Sequence, residues 1–329
     1  DFIRAILIVL MILIHIVSFG NAYPQLKAGI LSFMMPTFLI ITGYLVNIEK
    51  TSRQMGNYLK CLALPYVIMV TGFSVLSYYM PVRDGITELS LSQIGEKIFV
   101  TSIGPYWFIQ TMIICGTLYY FCFSGRNWND LRRNYTKRDT YASLFVFAVT
   151  LLLISETPAL SASAAAYYFI GVVIRQSKTE WNKLFRHEFF AIILWIYLLN
   201  HDDWYDWGSL AIVFSCWCCI STLLLLQHLL DAPERFKDFS PKIGKVAKVT
   251  NRIKDTLLYI GRNTLPIYLF HPIFTMAAKF YHPLFSWDPS EISFAVATII
   301  LAITGSLLIA KMMEKTKLAY LFGKGKLLR

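Results

Sequence analysis

FIRAILIVLMILIHIVSFG, residues 2–20, is long enough to cross a bilayer, and Arg4 and His15 are its only ionisable residues. A spanning helix needs about 20 apolar residues. Arg4 and His15 are eleven positions apart. At about 100° and 1.5 Å per residue, that spacing is three turns with an offset of roughly 20°. Both side chains therefore fall on one helical face, about 16 Å apart along the axis. An ionisable group this deep is costly, so it tends to face a cavity, a partner or a substrate path. Histidine is also the side chain suited to moving a proton near neutral pH. A histidine that only hydrogen-bonds a neighbouring helix is the competing reading.

The rest of the chain repeats the pattern. It has 329 residues, 56% hydrophobic and 16% charged, where soluble domains carry roughly 25% charge. Apolar runs predict ten spans near 2–20, 30–48, 61–80, 106–123, 141–155, 159–174, 188–200, 207–230, 256–280 and 293–311. The seventh is short for a bilayer. Charge alternates between the connections. Arg126, Arg132, Arg133, Lys137 and Arg138 follow the fourth span, and Arg175, Lys178, Lys183 and Arg186 the sixth. Arg235, Lys237, Lys242, Lys245, Lys248, Arg252 and Lys254 follow the eighth, and six more cations form the tail. The intervening loops hold Glu156, then Asp202, Asp203 and Asp206, then Asp288 and Glu291. By the positive-inside rule both termini are cytoplasmic and the span count is even.

The net charge of +11 is thus a topological signal, and nucleic-acid binding is the poorer reading because the cations are divided among loops. KIGKVAKVTNRIK, 242–254, with lysines every three residues, suits anionic lipid or a phosphorylated ligand, but reads foremost as a solvated cytoplasmic linker. The long connections 81–105 and 231–255 read as loops, with a short interfacial helix over 92–103. Cys61, Cys115, Cys122, Cys216, Cys218 and Cys219 lie in or beside apolar spans and read as small packing residues. No zinc, Walker or dinucleotide fingerprint is present. No cleavable signal peptide is expected. The chain opens on Asp1 rather than Met, so further cytoplasmic residues are expected upstream.

Four other places carry polarity into apolar surroundings. In GRNTLPIYLFHPIF, 261–274, Tyr268 and His271 share a helical face. Pro266 and Pro272 free nearby carbonyls that protein or water must satisfy. A merely kinked helix is the plainer alternative. Pro105-Tyr106-Trp107-Phe108 reads first as an interfacial aromatic belt. Pro36 and Gly43 punctuate the second span, where Gly43 permits close helix approach. His201-Asp202-Asp203-Trp204 has metal-ligand residue types without ligand spacing, and reads as a solvated acidic loop.

DFIRAILIVLMILIH (1–15), FMMPTFLIITGYL (33–45), LALPYVI (62–68), PYWFIQ (105–110) and GRNTLPIYLFHPI (261–273) together resemble the acyltransferase type 3 family of integral membrane enzymes, nearest its fucose 4-O-acetylase-like branch. Arg4 and His15 match that family's Arg-x10-His signature, and Trp107 and Phe108 its Trp-Phe pair. The resemblance implies an all-α polytopic membrane protein, about ten transmembrane helices around a polar central cavity, forming one acyltransferase domain over 1–329. It implies acetyl transfer from cytoplasmic acetyl-CoA to a hydroxyl of a glycan, glycolipid or related acceptor in a bacterial inner membrane, with no metal and no nucleic-acid partner. The chain departs from the family where an Arg-x-x-Arg usually precedes the third span; here Lys60, aided by Arg53, is left for that phosphate-facing role. No esterase-like domain is expected after the tenth span.

On this view neutral His15 takes the acceptor's hydroxyl proton, and Tyr268 and His271 are candidate donors to the oxyanion. Arg4 is placed for the phosphates of CoA, with Lys60, Lys137, Arg138 and Arg262 adding charge. Trp107 and Phe108 are the candidate acceptor contacts. A transporter or flippase with ten spans is the rival outside catalysis, though no internal repeat is found. A non-catalytic membrane scaffold or sensor is a third reading. A succinyltransferase is the rival within catalysis.

Overall fold

The computed structural model describes residues 1–79, 84–123, 137–185, 189–236 and 240–329, without the side chains of Lys137 and Asn182. Arg126, Arg132, Arg133, Arg186 and Lys237 lie outside the described residues, as does the side chain of Lys137. The protein is 81% helix, with no strand among the described residues. In chain order the helices are α1 (Phe2–Ile14), α2 (Val17–Ala22), α3 (Pro24–Leu45), α4 (Ser52–Tyr79), α5 (Leu91–Phe99), α6 (Trp107–Cys122) and α7 (Lys137–Ser155). They continue as α8 (Ala162–Gln176), α9 (Trp181–Leu184), α10 (Phe189–Leu199), α11 (Leu210–Arg235), α12 (Pro241–Arg262), α13 (Thr264–Tyr281) and α14 (Ile292–Lys315).

Five helices are long and apolar enough to cross a membrane: α3, α4, α7 from Arg138, α11 and α14. A sixth is added if α5 and Gly104–Cys122, bent by 44°, form one span. Helices satisfy backbone polarity internally, which is why apolar solvent selects them. The helices α1 and α10 are apolar but shorter; α10, at 11 residues, is the short seventh segment foreseen in the sequence.

The chain divides into two compact units. The first contains Asp1–Phe38, Glu180–Thr316 and Lys326–Arg329. It includes a hairpin of α13 and α14, joined antiparallel: Tyr281 donates to Thr298 Oγ1 (3.0 Å), and Gly305 meets the Phe274 ring, leaving a Cβ only 2.2 Å from it. In the connecting loop His282 pairs with Glu291 at 2.9 Å. The Asp288 carboxylate accepts from the Ser290 hydroxyl and the Ser293 amide, which hold it below the usual carboxylate range.

Three expected elements are corrected here. The span read as 2–20 is not one helix: α1 stops at Ile14, and Ile16 is extended at φ −81°, ψ 105°. Within 231–255, residues 231–235 and 241–255 are helical rather than loop, and the stretch 242–254 is not a linker. It lies in the 22-residue helix α12, whose N-terminus is capped by Ser240 accepting from the Lys242 amide. The lysines obscured an amphipathic period. Ala247 is buried, while Lys254 pairs with Asp231 (2.6 Å) and Asn251 donates to Glu234 (2.7 Å), seating α12 antiparallel on α11. The expected span 256–280 is likewise divided, at Asn263. That buried side chain donates to Tyr259 O (2.8 Å) and Arg329 O (3.3 Å), and accepts from the Arg329 amide (2.8 Å).

The second unit contains Leu39–Thr179 and Lys317–Gly325. Its core gathers Cys115, Tyr119, Phe123, Phe147, Tyr168 and Val172, all fully buried. Gly43 and Gly171 are where α3 and α8 touch backbone to backbone. A Cβ on Gly43 would lie 2.2 Å from Tyr168 O, and one on Gly171 would lie 2.1 Å from Ile40 O. Small residues permit such crossings. Neither backbone oxygen can swing aside, so Gly171→Ala must push the helices apart. Overpacking of this kind costs about 1–3 kcal/mol. The variant is expected to unfold several degrees below the parent, read by a thiol-reactive dye that reaches Cys115 only on unfolding; an unchanged midpoint would contradict the crossing.

Candidate active site

Helices α1 and α13 lie side by side and point the same way. Arg4, early in α1, donates from its guanidinium to Thr264 Oγ1 at the start of α13. Further along both helices, His15 and His271 meet edge to face, with ring centroids 5.2 Å apart and planes at 71°. Tyr268, one turn before His271, has its ring 5.8 Å away. Arg4, His15, Tyr268 and His271, singled out from the sequence, are thus brought together along one helix pair.

Each histidine is held through Nδ1 by a carbonyl that an irregular helix has released. At the end of α1 the His15 amide donates to Ile12 O (3.1 Å), a tightened closure. The His15 ring meets Met11 O through Nδ1 at 2.6 Å. In α13, Pro272 has no N–H to give to Tyr268 O, four residues back. The His271 ring fills that role, Nδ1 to Tyr268 O at 2.8 Å. A carbonyl only accepts, so both Nδ1 atoms carry hydrogen, and a neutral ring keeps its lone pair on Nε2. His271 is fully buried, and its Nε2 has no hydrogen-bond partner among the described residues. His15 is half-buried.

At the other end, cations gather around Asp1. Arg4 Nη1 lies 3.2 Å and Arg262 Nε 3.8 Å from its carboxylate. The Arg4 side chain is 27% exposed and Arg262 56%. Gly261 lets α1 approach this closely: a Cβ there would sit 2.0 Å from Asp1 O. The other expected site residues belong to the second unit. Lys60 is exposed on α4 and Arg138 is exposed at the start of α7. Trp107 and Phe108 open α6, Phe108 buried and Trp107 half-buried, after the turn Gly104–Tyr106. His201 stacks on Trp204 (4.5 Å, 15°). Among the described residues no three His, Cys, Asp or Glu side chains converge as a metal site would require.

Sequence reasoning counts Asn263 and Thr264 among the polar residues of 261–274 without giving them a role, and passes over the Met11 carbonyl. For the first two a signal existed: Asn-Thr-x-Pro is helix-start chemistry in the middle of an apolar run.

An all-helical protein with several membrane-length helices and a histidine pair on two parallel helices has the build of a membrane enzyme. The chain belongs to the acyltransferase 3 family, whose acyltransferase-domain model matches residues 1–311, and it is accordingly a membrane acyltransferase. No curated protein and no solved structure matches it.

Proposed function

We propose that this protein is an O-acetyltransferase of the fucose 4-O-acetylase-like branch. It moves acetyl from cytoplasmic acetyl-CoA to a hydroxyl of a glycan or glycolipid, at a bacterial inner membrane. The observation that carries this reading is the His15 ring, whose Nδ1 is committed to Met11 O, so that Nε2 is the basic atom. An alcohol is a poor nucleophile near neutral pH and needs a base within hydrogen-bond reach. His15 Nε2 takes the hydroxyl proton as the oxygen attacks the thioester carbonyl. The tetrahedral oxyanion accepts from a fixed donor, a role suited to the Tyr268 hydroxyl. Collapse breaks the C–S bond and expels the CoA thiolate, which recovers the proton from His15. Neutral His271 presents an acceptor at Nε2, so it suits the imidazolium formed on His15 better than the oxyanion. Arg4 and Arg262 take the CoA phosphates. The whole chain acts as one domain.

Ten spans around a polar central cavity, with both termini cytoplasmic, complete the proposal. The parallel course of α1 and α13 supports it, because the first and ninth spans must enter from the same side. In intact cells an impermeant thiol reagent should label Asp203→Cys and Glu156→Cys and spare Lys245→Cys; labelling of the last would sink this topology. The activity itself is tested with purified protein and acetyl-CoA: acceptor-dependent release of free CoA is expected, and a transporter would release none.

A further inference from the structure

Within the first unit, Leu10 of α1, the start of α3, the end of α10 and the loop after it line a half-open cavity of about 810 Å³. That is the size of a small-molecule site. Its walls differ from end to end. Leu10, Phe33 and Trp195 make an apolar side, and Gln25, Asn200, Asp202 and Tyr205 a polar one. The aromatic walls are fixed. Trp195 lies edge-on to Phe33 (4.8 Å) and donates from Nε1 to Ser215 Oγ (3.1 Å). Tyr205 donates to Leu199 O (2.6 Å), and Gly29 makes room for it, since a Cβ there would lie 3.1 Å from the Tyr205 oxygen.

The charge of the lining decides what headgroup it takes. Among the described residues no Lys or Arg lines the cavity, while Asp202 does. A phosphate would meet repulsion from that carboxylate, with no lining cation among the described residues to offset it. A neutral polyol has hydroxyls to donate to Asp202 and to exchange with the Gln25 and Asn200 carboxamides. We infer that this cavity binds a neutral glycosyl lipid, its chain along Leu10, Phe33 and Trp195 and its sugar against Asp202, Asn200 and Gln25. The inference rests on the acyl-transfer reading only in making this lipid the acceptor class; the binding site stands on the lining alone.

The test uses the full chain in phosphatidylcholine nanodiscs, with monoglucosyl diacylglycerol and phosphatidylglycerol as probes and native mass spectrometry reading the lipid retained. The parent should retain the glucosyl lipid at least tenfold over phosphatidylglycerol. Ala28→Trp places a large ring in the cavity from an exposed position and should abolish that preference, as should Asp202→Ala, with both variants melting like the parent. His15→Ala should retain the lipid as the parent does. Equal retention of the two lipids by the parent, or an undiminished preference in Ala28→Trp, overturns the site. Binding of the glucosyl lipid without its acetylation by the parent keeps the site and overturns the assignment of this lipid as the acceptor class instead.

Discussion

His15→Ala lowers acetyl transfer by roughly 100-fold or more, the usual scale for loss of a general acid–base group, in a protein that still folds and inserts. The expectation follows from the position of the ring. His15 stands at the end of α1, where the helix is already broken, so its removal frees Met11 O without interrupting a continuous ladder. The apolar face of α1 that carries the packing, with Leu7, Ile8, Met11 and Ile12 buried, is untouched. His15→Gln separates chemistry from placement. Its amide can still donate to Met11 O, yet it offers no base at neutral pH, so it should be as inactive as the alanine variant. Near-normal turnover in either variant removes His15 from the role of base.

Arg4→Ala acts on the other half of the reaction. The guanidinium spans Asp1 and Thr264, about 16 Å from His15 along the helix by rise per residue. CoA's phosphates cannot follow the thioester into hydrocarbon without great cost, whereas the pantetheine arm is thin, mostly uncharged and of about that length by extended-chain dimensions. Arg4 and Arg262 would therefore hold the phosphates while the thioester reaches His15. Removing a charge-assisted hydrogen bond costs about 1.5–3 kcal/mol, so acetyl-CoA affinity should fall by roughly 10- to 100-fold. His15→Ala should leave that affinity largely intact. Calorimetry giving parent-like binding for Arg4→Ala would remove Arg4 from donor recognition.

Much of this arrangement was legible in the residues, and the limits have physical causes. The spacing of Arg4 and His15 put both on one face, and the face is where α13 packs. The break after His15 was invisible, because Ile16 and Val17 carry no turn signal. The helix ends there through a ring competing with a backbone amide, which hydropathy does not register. At Pro272 the freed carbonyl could be foreseen from proline's missing N–H, but not that the residue just before it would fill the place. Gly43 announced a close helix approach; its partner Gly171 could be found only in three dimensions, as could Thr264, 260 residues from Arg4. In α12 the cations masked a helix, since charge lowers hydropathy without altering the 3.6-residue period.

The most direct test of the central claim is a structure of the protein with a thioether analogue of acetyl-CoA. The account predicts the phosphates beside Arg4 and Arg262, the pantetheine arm running along α1 and α13, and the acyl carbonyl within reach of His15 Nε2 with Nδ1 still on Met11 O. Phosphates at the His15 end, or a His15 ring turned so that Nδ1 faces the acyl group, would contradict it.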